Sequence, residues 1–458
     1  MIYQDEIREK AKAFDIHQVN VERDYVFGWL LKGIFENDYL RQELVFKGGN
    51  CLRKGFYPDT RFSSDLDFSA PREIDLERMA SAINAACEEA GRACGVDFLI
   101  DRNTFKPGPQ IDRQRQSYKG RVYFTDFCGQ EDDLTISVKV DVTEFDRLYL
   151  PAVNRQLIHP YSDAGACSAE LHCMALEEIV ANKMKCLIQR RHSHDLFDLV
   201  YATFIDRSIE LDRGLVLRTF FGKTIFGSSP GAAKEILLGI PMTFFGGVWE
   251  KFIKCPKQTR FGFDHAAEGF RDAIERLFEG VQTTSWGQRA FFPSAQRNLI
   301  MEAGAERKLL RVTYDGKERL VEPYALSYKR PKAGLPQEYF YVWDQTGGSS
   351  PPGIKSLLNG RLTRVEMTDE KFEPRYEIEL SKAGEEARNA HFGKPFSGGR
   401  TSQRRVLRQT TVRPFAQAFK VECPYCLKRF TRSKMSLDLN PHKDANGYPC
   451  RARRGYLV

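Results

Sequence analysis

Residues 44–68 read LVFKGGNCLRKGFYPDTRFSSDLDF, and this stretch decides how the first part of the chain folds. A short apolar strand runs into Gly48-Gly49, and a second short strand follows that carries Asp65 and Asp67. Side chains alternate between the two faces of a strand, so both aspartates point to one face while their apolar neighbours point into the core. The pattern predicts a sheet that presents two carboxylates beside a glycine turn.

A cation is expected between these carboxylates, because two parallel acids on one face repel each other. Mg²⁺ (or Mn²⁺) takes such oxygen ligands and leaves room for substrate phosphates. The stretch LTISVKVDV at 134–142 alternates strictly and puts a third acid, Asp141, on its polar face. Each acid alone fits a solvated strand, and the glycine pair alone fits a simple turn. Together, in this order, they favour a two-metal site for phosphoryl or nucleotidyl transfer.

The glycine turn is also the natural place for a triphosphate, since its bare backbone amides can cradle phosphate oxygens. We expect basic, amide and hydroxyl side chains from the flanking segments to complete that site. The predicted NTP-binding residues are Lys47, Gly48, Gly49, Asn50, Arg61, Ser63, Ser64 and Arg190.

Lys183 lies in a predicted helix at 171–190, beside an apolar stripe, with Arg190 two turns further along the same face. A lysine against an apolar face needs an anionic partner. Two interpretations stay open. Lys183 either reaches solvent with a salt bridge to Asp195, or acts with Arg190 to neutralise a triphosphate in a cleft.

The whole chain has 458 residues, 42% hydrophobic and 28% charged, which are globular proportions and long enough for roughly two to four domains. No run is apolar enough for a membrane span or a signal-peptide core, so we expect a cytoplasmic protein with free thiols among its scattered cysteines. Residues 385–458 contain 16 Lys/Arg and 5 Asp/Glu, whereas the residues before them contain 53 and 56. Such a basic tail favours a polyanionic partner over simple solubility.

Changes of pattern divide the chain into four parts. Residues 1–282 mix helix and strand and end in helices, and residues 283–384 are β-rich. Residues 385–418 form a basic, flexible linker, and residues 419–458 form a small cysteine-containing module. Within these parts, periodicity predicts helices at 20–40, 74–95 and 171–190, a hairpin at 309–326, strands at EYFYVWD and RLTRVEM, and a loop at 347–353.

The C-terminal module carries a CxxC pair, Cys423 and Cys426, followed by His442 and Cys450. Four such ligands in a segment too short to build a core predict a structural Zn²⁺ site. A redox pair is the alternative, but no thioredoxin-like pattern surrounds the motif. Basic and aromatic residues in the module suit contacts with a nucleic-acid backbone and unpaired bases, RNA or tRNA more than DNA. Docking of a protein is the alternative role.

Four motifs together resemble the AbiEii/AbiGii toxin family, a branch of the polymerase β-like nucleotidyltransferase superfamily. They lie within residues 10–280 and read VERDYVFGWLL, LVFKGGNCLRKGFYPDTRFSSDLDF, VKVDV and LEEIVANKMKCLIQRRHSHDLFDL. The resemblance implies transfer of NMP from an NTP, a role in abortive infection (phage defence) and toxin–antitoxin systems, and a cognate antitoxin protein.

Site residues follow from the same resemblance. It implies that Asp65 and Asp67 hold the metal, that 48–50 form the glycine-rich motif, and that Lys183 and Arg190 form the basic helix motif. Asp195 matches the aspartate after that helix. Two positions differ from the family pattern: Asn50 replaces the usual Ser or Thr, and His194 replaces the basic residue that often precedes the last aspartate.

Residues 297–383 resemble a WYL domain, a small SH3-like β-barrel, through RVTYDGKERLVEPYAL, EYFYVWD and RLTRVEM. Of the name-giving triplet only Tyr339 remains. The resemblance implies a nucleic-acid or nucleotide ligand, and a spacer or dimerisation module is the alternative.

The predicted fold is therefore an α/β (α+β) nucleotidyltransferase core with a helical end, a small SH3-like β-barrel and a zinc ribbon or knuckle. The predicted function is a Mg²⁺-dependent nucleotidyltransferase toxin that acts on an RNA or protein acceptor. The alternative is a nucleic-acid-binding regulator or sensor whose core only binds nucleotide. The predicted catalytic residues are Asp65, Asp67, Asp141, Lys183 and Asp195.

Overall fold

The computed structural model describes most of the chain, and the predicted linker at 385–418 lies outside the described residues. The described residues are 2–110, 116–125, 135–146, 148–224, 226–228, 230–247, 249–281, 291–329, 337–347, 350–375, 378, 380, 419–424, 426, 428–432, 436–443, 449–450 and 452–457.

A seven-stranded mixed sheet forms the centre of the N-terminal part. Its strands are β1 (Val45–Lys47), β2 (Asp65–Ala70), β3 (Thr104–Gln110), β4 (Gln116–Thr125), β5 (Thr135–Glu144), β6 (Val153–Gln156) and β7 (Glu170–Cys173). Their order across the sheet is β3-β4-β5-β2-β1-β7-β6. Strand β2 runs antiparallel to β1 and parallel to β5, so the strand that carries two of the predicted metal ligands is central.

Helices pack on this sheet and extend beyond it. They are α1 (Gln4–Phe14), α2 (Gln18–Glu36), α3 (Asp38–Glu43), α4 (Gly48–Cys51), α5 (Leu76–Cys94), α6 (Leu176–Arg190), α7 (Ser193–Val200), α8 (Arg213–Lys223), α9 (Pro230–Leu238), α10 (Thr243–Gly246), α11 (Trp249–Phe252) and α12 (Phe263–Leu277). One apolar cluster joins sheet and helices, with Trp29, Phe46, Leu66 and Val140 among its buried members. Every helix in the described part of the chain is too short or too polar to cross a membrane.

Local sequence signals set the ends of several helices. Asp75 caps α5 by accepting hydrogen bonds from the backbone N–H groups of Glu77 and Arg78. The same helix ends at Gly95, whose φ of 74° lies in the left-handed region that favours glycine. The predicted helix at 74–95, closed by Gly95, is confirmed.

Two predicted helices differ from the structure at their ends. The helix predicted at 20–40 is two helices, because Asn37 separates α2 from α3 and caps the second by accepting from the N–H of Leu40. The helix predicted from residue 171 is wrong at its start. Leu171 and Cys173 are buried on strand β7, and α6 begins only at Leu176. Their spacing of two fits a strand, and the helical period was extended too far.

The middle part consists of one helix and a five-stranded antiparallel sheet. Its elements are α13 (Ser294–Glu306), β8 (Lys308–Tyr314), β9 (Lys317–Lys329), β10 (Gln337–Asp344), β11 (Gly353–Leu358) and β12 (Leu362–Lys371). The strand order is β11-β10-β9-β8-β12. The hairpin predicted at 309–326 is confirmed, whereas β11 was missed and RLTRVEM is the fifth strand rather than the fourth. The SH3-like barrel stays a prediction.

The C-terminal module is built from very short strands. They are β13 (Phe419–Glu422), β14 (Arg429–Arg432), β15 (His442–Lys443), β16 (Pro449–Cys450) and β17 (Tyr456–Leu457). Three form the sheet β14-β13-β17, and β15 pairs with β16. Among the described residues of the module, the buried apolar cluster consists of Val421, Cys423, Cys426, Leu439 and Ala452. Two cysteines thus make up a large share of its core.

Candidate active site and candidate metal centre

The sheet brings the three predicted metal carboxylates together. In register, Asp67 on β2 is flanked by Asp141 on the parallel strand β5 and by Lys47 on the antiparallel strand β1. Asp65 lies two residues before Asp67 on the same strand face, and Ser63 Oγ donates to its Oδ1 at 2.9 Å. Three acids from two neighbouring strands therefore share one face of the sheet.

The glycine turn lies against this face at very short range. Gly48 has a φ of +81°, and a Cβ added there would lie 2.5 Å from Asp67 Oδ2. A Cβ at Gly49 would lie 2.6 Å from a terminal nitrogen of Arg61. Both positions thus exclude a larger side chain, and the backbone of the turn reaches the carboxylates directly.

Asn50 and Lys47, both predicted to bind phosphate, already have protein partners. The side-chain amide of Asn50 donates to the backbone carbonyl of Asp65 at 2.7 Å, and the residue is 1% exposed. Asn50 does not line the cleft and instead ties the glycine turn to β2. Lys47 Nζ donates to Asp146 Oδ2 at 2.7 Å. Burial favours the neutral acid, but Lys47 outweighs it and holds the pKa of Asp146 well below its usual value.

Asp141 is paired with a cation from the neighbouring strand. Lys119 on β4 lies opposite it in register and contacts its Oδ2 at 2.6 Å. Burial raises the pKa of Asp141 above its ordinary value, Lys119 acts against this, and the charge of Asp65 adds to it. The raised pKa reflects acids crowded on one buried face.

Lys183 and Arg61 belong to one buried ionic network on the other side of the cleft. Arg61 makes a two-pronged contact with Asp198, from Nε at 2.7 Å and from Nη2 at 2.8 Å. Lys183 Nζ lies 2.7 Å from Asp198 and 3.1 Å from Asp195. The salt bridge between Lys183 and Asp195 exists, while Lys183 also lines the cleft. The salt-bridge interpretation is therefore confirmed, and neutralisation of a triphosphate by Lys183 and Arg190 stays a prediction.

A cleft of about 470 Å³ contains most of these side chains, including Ser63 and Ser64. Arg190 is the last residue of α6, and its side chain lies outside the described residues. The acids that line the cleft are Asp65, Asp67, Asp141, Asp146, Asp195 and Glu422. The cations that line it are Lys47, Arg61, Lys119, Lys139, Lys183, Lys185, Lys223, Lys251, Lys254 and Arg429. Among the described residues, cations thus outnumber acids in the lining, which suits a polyphosphate.

Part of the cleft wall comes from the C-terminal module. Glu422, Arg429 and Tyr456 line the cleft together with the residues of the sheet. Glu422 accepts from Arg429 Nε and from the Tyr456 hydroxyl, both at 2.7 Å. The module also contacts helix α2, where buried Arg23 donates to the Pro424 carbonyl at 2.6 Å.

The four predicted zinc ligands converge in this module. The ligand atoms of Cys423, Cys426, His442 and Cys450 all lie within 4.8 Å of one another. The Cys423 and Cys450 sulfurs are 3.6 Å apart, near the roughly 3.7 Å expected between two thiolates on one tetrahedral zinc. His442 Nδ1 lies 2.9 Å from the Asn440 carbonyl, which leaves Nε2 facing the Cys426 sulfur. This donor set fits a tetrahedral metal with a hydrogen-bonded histidine ligand.

Several residues in or behind the cleft were not predicted from the sequence. Asp198 carried a usable signal, because it lies three residues after Asp195 on the same helix. Lys119 carried none, since its place depends on strand register, and Asp146 carried none, since only packing brings it to Lys47. The cleft residues of the C-terminal module likewise depend on how it packs against α2.

Comparisons with known proteins identify the N-terminal part. Residues 29–223 match the sequence model of the family described as "Nucleotidyl transferase AbiEii toxin, Type IV TA system". Among solved structures, the chain is similar to MenT4, a nucleotidyltransferase toxin from Mycobacterium tuberculosis H37Rv. The identity is 19%, the similarity covers 63% of this chain and 93% of that chain, and the TM-score of 0.40 is too low to infer a shared fold. No curated protein matches the chain. Residues 29–223 thus form a nucleotidyltransferase domain of the AbiEii toxin family, and the predicted family is confirmed for this part.

Proposed function

We propose that this protein is a metal-dependent nucleotidyltransferase toxin that moves NMP from an NTP to a hydroxyl group of an RNA acceptor. An acceptor oxygen forms a bond to the α-phosphorus, the bond from that phosphorus to the bridging oxygen breaks, and pyrophosphate leaves. The observation that carries the proposal is the shared face of Asp65, Asp67 and Asp141 beside the glycine turn.

The three carboxylates are the residues that would hold Mg²⁺ or Mn²⁺. The bound ion supplies charge neutralisation at the phosphates and a lower pKa for the attacking hydroxyl. Ser63 keeps Asp65 oriented through its hydrogen bond. Asp141 takes the proton from the attacking hydroxyl group. Before substrate binds, Lys119 stabilises the negative charge of Asp141 through their salt bridge.

Phosphate charge is met by the backbone amides of the glycine turn and by cations in the cleft. Arg61 and Lys183 act mainly by position, because Asp198 binds both of them and fixes their nitrogens at the wall of the cleft. Such fixed cations stabilise developing negative charge without reorganising during the reaction. Asn50 supports the turn from behind rather than touching phosphate.

The basic C-terminal part of the chain is the feature that favours RNA as acceptor, since a polyanion gains from many phosphate contacts. In a toxin–antitoxin system a cognate antitoxin protein would restrain this activity. The Cys₃His centre takes zinc as a structural ion, because its four ligands leave no open position.

The test is nucleotide transfer by purified wild type and Asp67→Asn, with each labelled NTP and total RNA or lysate. We expect about a 1,000-fold or greater loss in the variant, because a metal ligand is removed. Its unfolding midpoint should not fall by more than a few degrees, since Asn keeps the shape of the side chain and removes one of several crowded charges. Expression of wild type alone should slow growth, and expression of the variant should not.

Asp38→Asn is the matched control, because this exposed aspartate loses the same charge on helix α3, away from the cleft. Equal transfer by wild type and Asp67→Asn would refute the metal-site assignment. NTP binding without transfer to any macromolecule would instead favour a nucleotide sensor that regulates through the C-terminal part.

A further inference from the structure

We propose that the C-terminal metal module is a working part of the active site, in which Arg429 and Tyr456 bind the single-stranded end of a nucleic-acid acceptor. The proposal deepens the function proposed above and rests on it. Arg429 and Tyr456 line the same cleft as Asp65 and Asp67, although hundreds of residues separate them in the chain. The cleft is therefore closed on one side by the module.

The module is fixed to the nucleotidyltransferase domain at a specific point. Arg23 on α2 is 2% exposed, and one of its terminal nitrogens donates to the Pro424 carbonyl at 2.6 Å. Pro424 lies between the ligands Cys423 and Cys426, so the contact reaches the knuckle that holds the metal. Burying a guanidinium without such partners costs free energy. This contact therefore differs from a non-specific contact between two surfaces.

Glu422 positions the two side chains that face the cleft. It is 6% exposed, and its two carboxylate oxygens accept from Tyr456 Oη and Arg429 Nε. The bond to Glu422 uses one of the five N–H donors of the Arg429 guanidinium. Gly455 lets β17 approach β13, since a Cβ there would lie 2.6 Å from the Glu422 carbonyl oxygen. Backbone and side-chain contacts thus hold an aromatic ring and a cation together.

This pair has the chemistry that single-stranded nucleic acid requires. An aromatic ring stacks on a base of any identity, and an arginine contacts the adjacent phosphate. Lys251 on α11 and the nearby Lys254 line the same cleft and continue the cationic surface. In the proposed function the glycine turn binds the NTP phosphates. The side of the cleft that the module forms is therefore available to bind the acceptor.

The experiment compares Arg429→Ala with Lys420→Ala in the full chain. Lys420 is exposed on β13 and lies outside the cleft lining, so its removal takes the same charge from the same module. We expect Arg429→Ala to raise the acceptor KM about tenfold, with the KM for NTP changed less than twofold. Lys420→Ala should raise the acceptor KM less than twofold. Retained metal content would show that each variant keeps its module folded.

Tyr456 is tested with a conservative pair of variants. Tyr456→Phe keeps the ring and should keep the acceptor KM within about threefold, whereas Tyr456→Leu should raise it about tenfold. Arg23→Leu tests the attachment of the module, and should raise the acceptor KM while the metal content stays at the wild-type level.

A binding measurement separates this proposal from the function it rests on. A fluorescein-labelled single-stranded oligoribonucleotide should bind Arg429→Ala about tenfold more weakly than wild type or Lys420→Ala. If wild type binds the oligoribonucleotide in this way but transfers no nucleotide, acceptor binding by Arg429 and Tyr456 is supported and the proposed enzymatic function is refuted. Four outcomes would contradict acceptor binding by these residues: equal acceptor KM in wild type and Arg429→Ala, loss of NTP affinity instead, faster transfer by the variant, or an effect only on a protein acceptor.

Discussion

The two candidate metal sites of this molecule are built in opposite ways. Asp65, Asp67 and Asp141 project from neighbouring strands of a seven-stranded sheet with a large apolar core. The four soft ligands of the C-terminal module are instead part of a small core, in which Cys423 and Cys426 are buried beside Val421. In the first site the fold brings like charges together against their repulsion. In the second, two of the five buried members of the apolar cluster in the described residues are themselves proposed ligands.

This difference teaches where the stability of each site comes from. The nucleotidyltransferase domain should keep its sheet without the proposed catalytic metal, because burial of apolar strands and helices does not depend on an ion. A module with so little apolar core should need the free energy of metal binding to fold. The two proposed metals should therefore be separable, one needed for the reaction and the other for the fold of the module.

Withdrawal of the structural metal should have the largest effect. Cys450→Ser should lose the metal and unfold the module, since structural zinc contributes about 10–16 kcal/mol to folding in small zinc peptides. Strands β2 and β5 should stay protected from hydrogen exchange, while β13 and β14 lose their protection. Exchange measured by mass spectrometry on the full chain distinguishes the two regions.

Elemental analysis provides the companion measurement, with one zinc per wild-type chain expected and none in Cys450→Ser. Cys87→Ser is the control, because this buried cysteine lies on α5 in the other region. Loss of protection throughout β2 and β5 in Cys450→Ser would contradict the separation of the two regions.

Removing a buried acid from helix α2 should have the next largest effect. Asp24 is 2% exposed and accepts from Arg53 Nε at 2.8 Å and from Lys54 Nζ at 2.9 Å. Asp24→Asn leaves both buried cations without their counter-charge, so we expect a loss of about 3–5 kcal/mol in the free energy of unfolding. Urea unfolding followed by tryptophan fluorescence measures it, and zinc content should not change.

The pH dependence of this loss has a definite sign. Burial alone would raise the pKa of Asp24, but Arg53 and Lys54 outweigh it and hold the pKa well below its usual value. Stability from this group is therefore present at neutral pH and lost as the pH falls below about 4, the ordinary range of an aspartate. The gap between wild type and Asp24→Asn should narrow in that range. A gap that widens on acidification would contradict the ion pairs.

The same two regions show how much of each candidate metal site can be predicted from the sequence. Alternation on a strand was enough to put Asp65 and Asp67 on one face, and a CxxC pair with a later histidine and cysteine was enough to group four ligands. Both inferences rest on short-range spacing. They also needed no knowledge of how distant elements pack.

Long-range packing supplied what the sequence could not. Arg61 and Asp198 are 137 positions apart, and Arg23 meets Pro424 across 401 positions. Nothing in the local pattern of either partner selects the other. The helix predicted from residue 171 starts too early, because the spacing of two between buried Leu171 and Cys173 fits strand β7 and not the period of a helix. The sequence predicts Asn50 as a phosphate ligand, and only packing shows that its side-chain amide donates to the Asp65 carbonyl.

The smallest expected effect concerns the support that each site gives to its ligands. Ser63 Oγ donates to Asp65 Oδ1 at 2.9 Å, as the Asn440 carbonyl meets His442 Nδ1 in the other site. Ser63→Ala keeps all three carboxylates and removes one hydrogen bond, worth about 1 kcal/mol. We expect the concentration of Mg²⁺ needed for half-maximal transfer to rise about fivefold, with the rate at saturating metal nearly restored. Ser81→Ala on the exposed face of α5 is the control, and should leave this concentration at the wild-type value.

An unrestored rate at saturating metal would mean that Ser63 contacts substrate rather than orienting Asp65. In that case the hydrogen bonds at Ser63 and at His442 would have different roles, because Ser63 would act on the reaction itself and not only on a metal ligand.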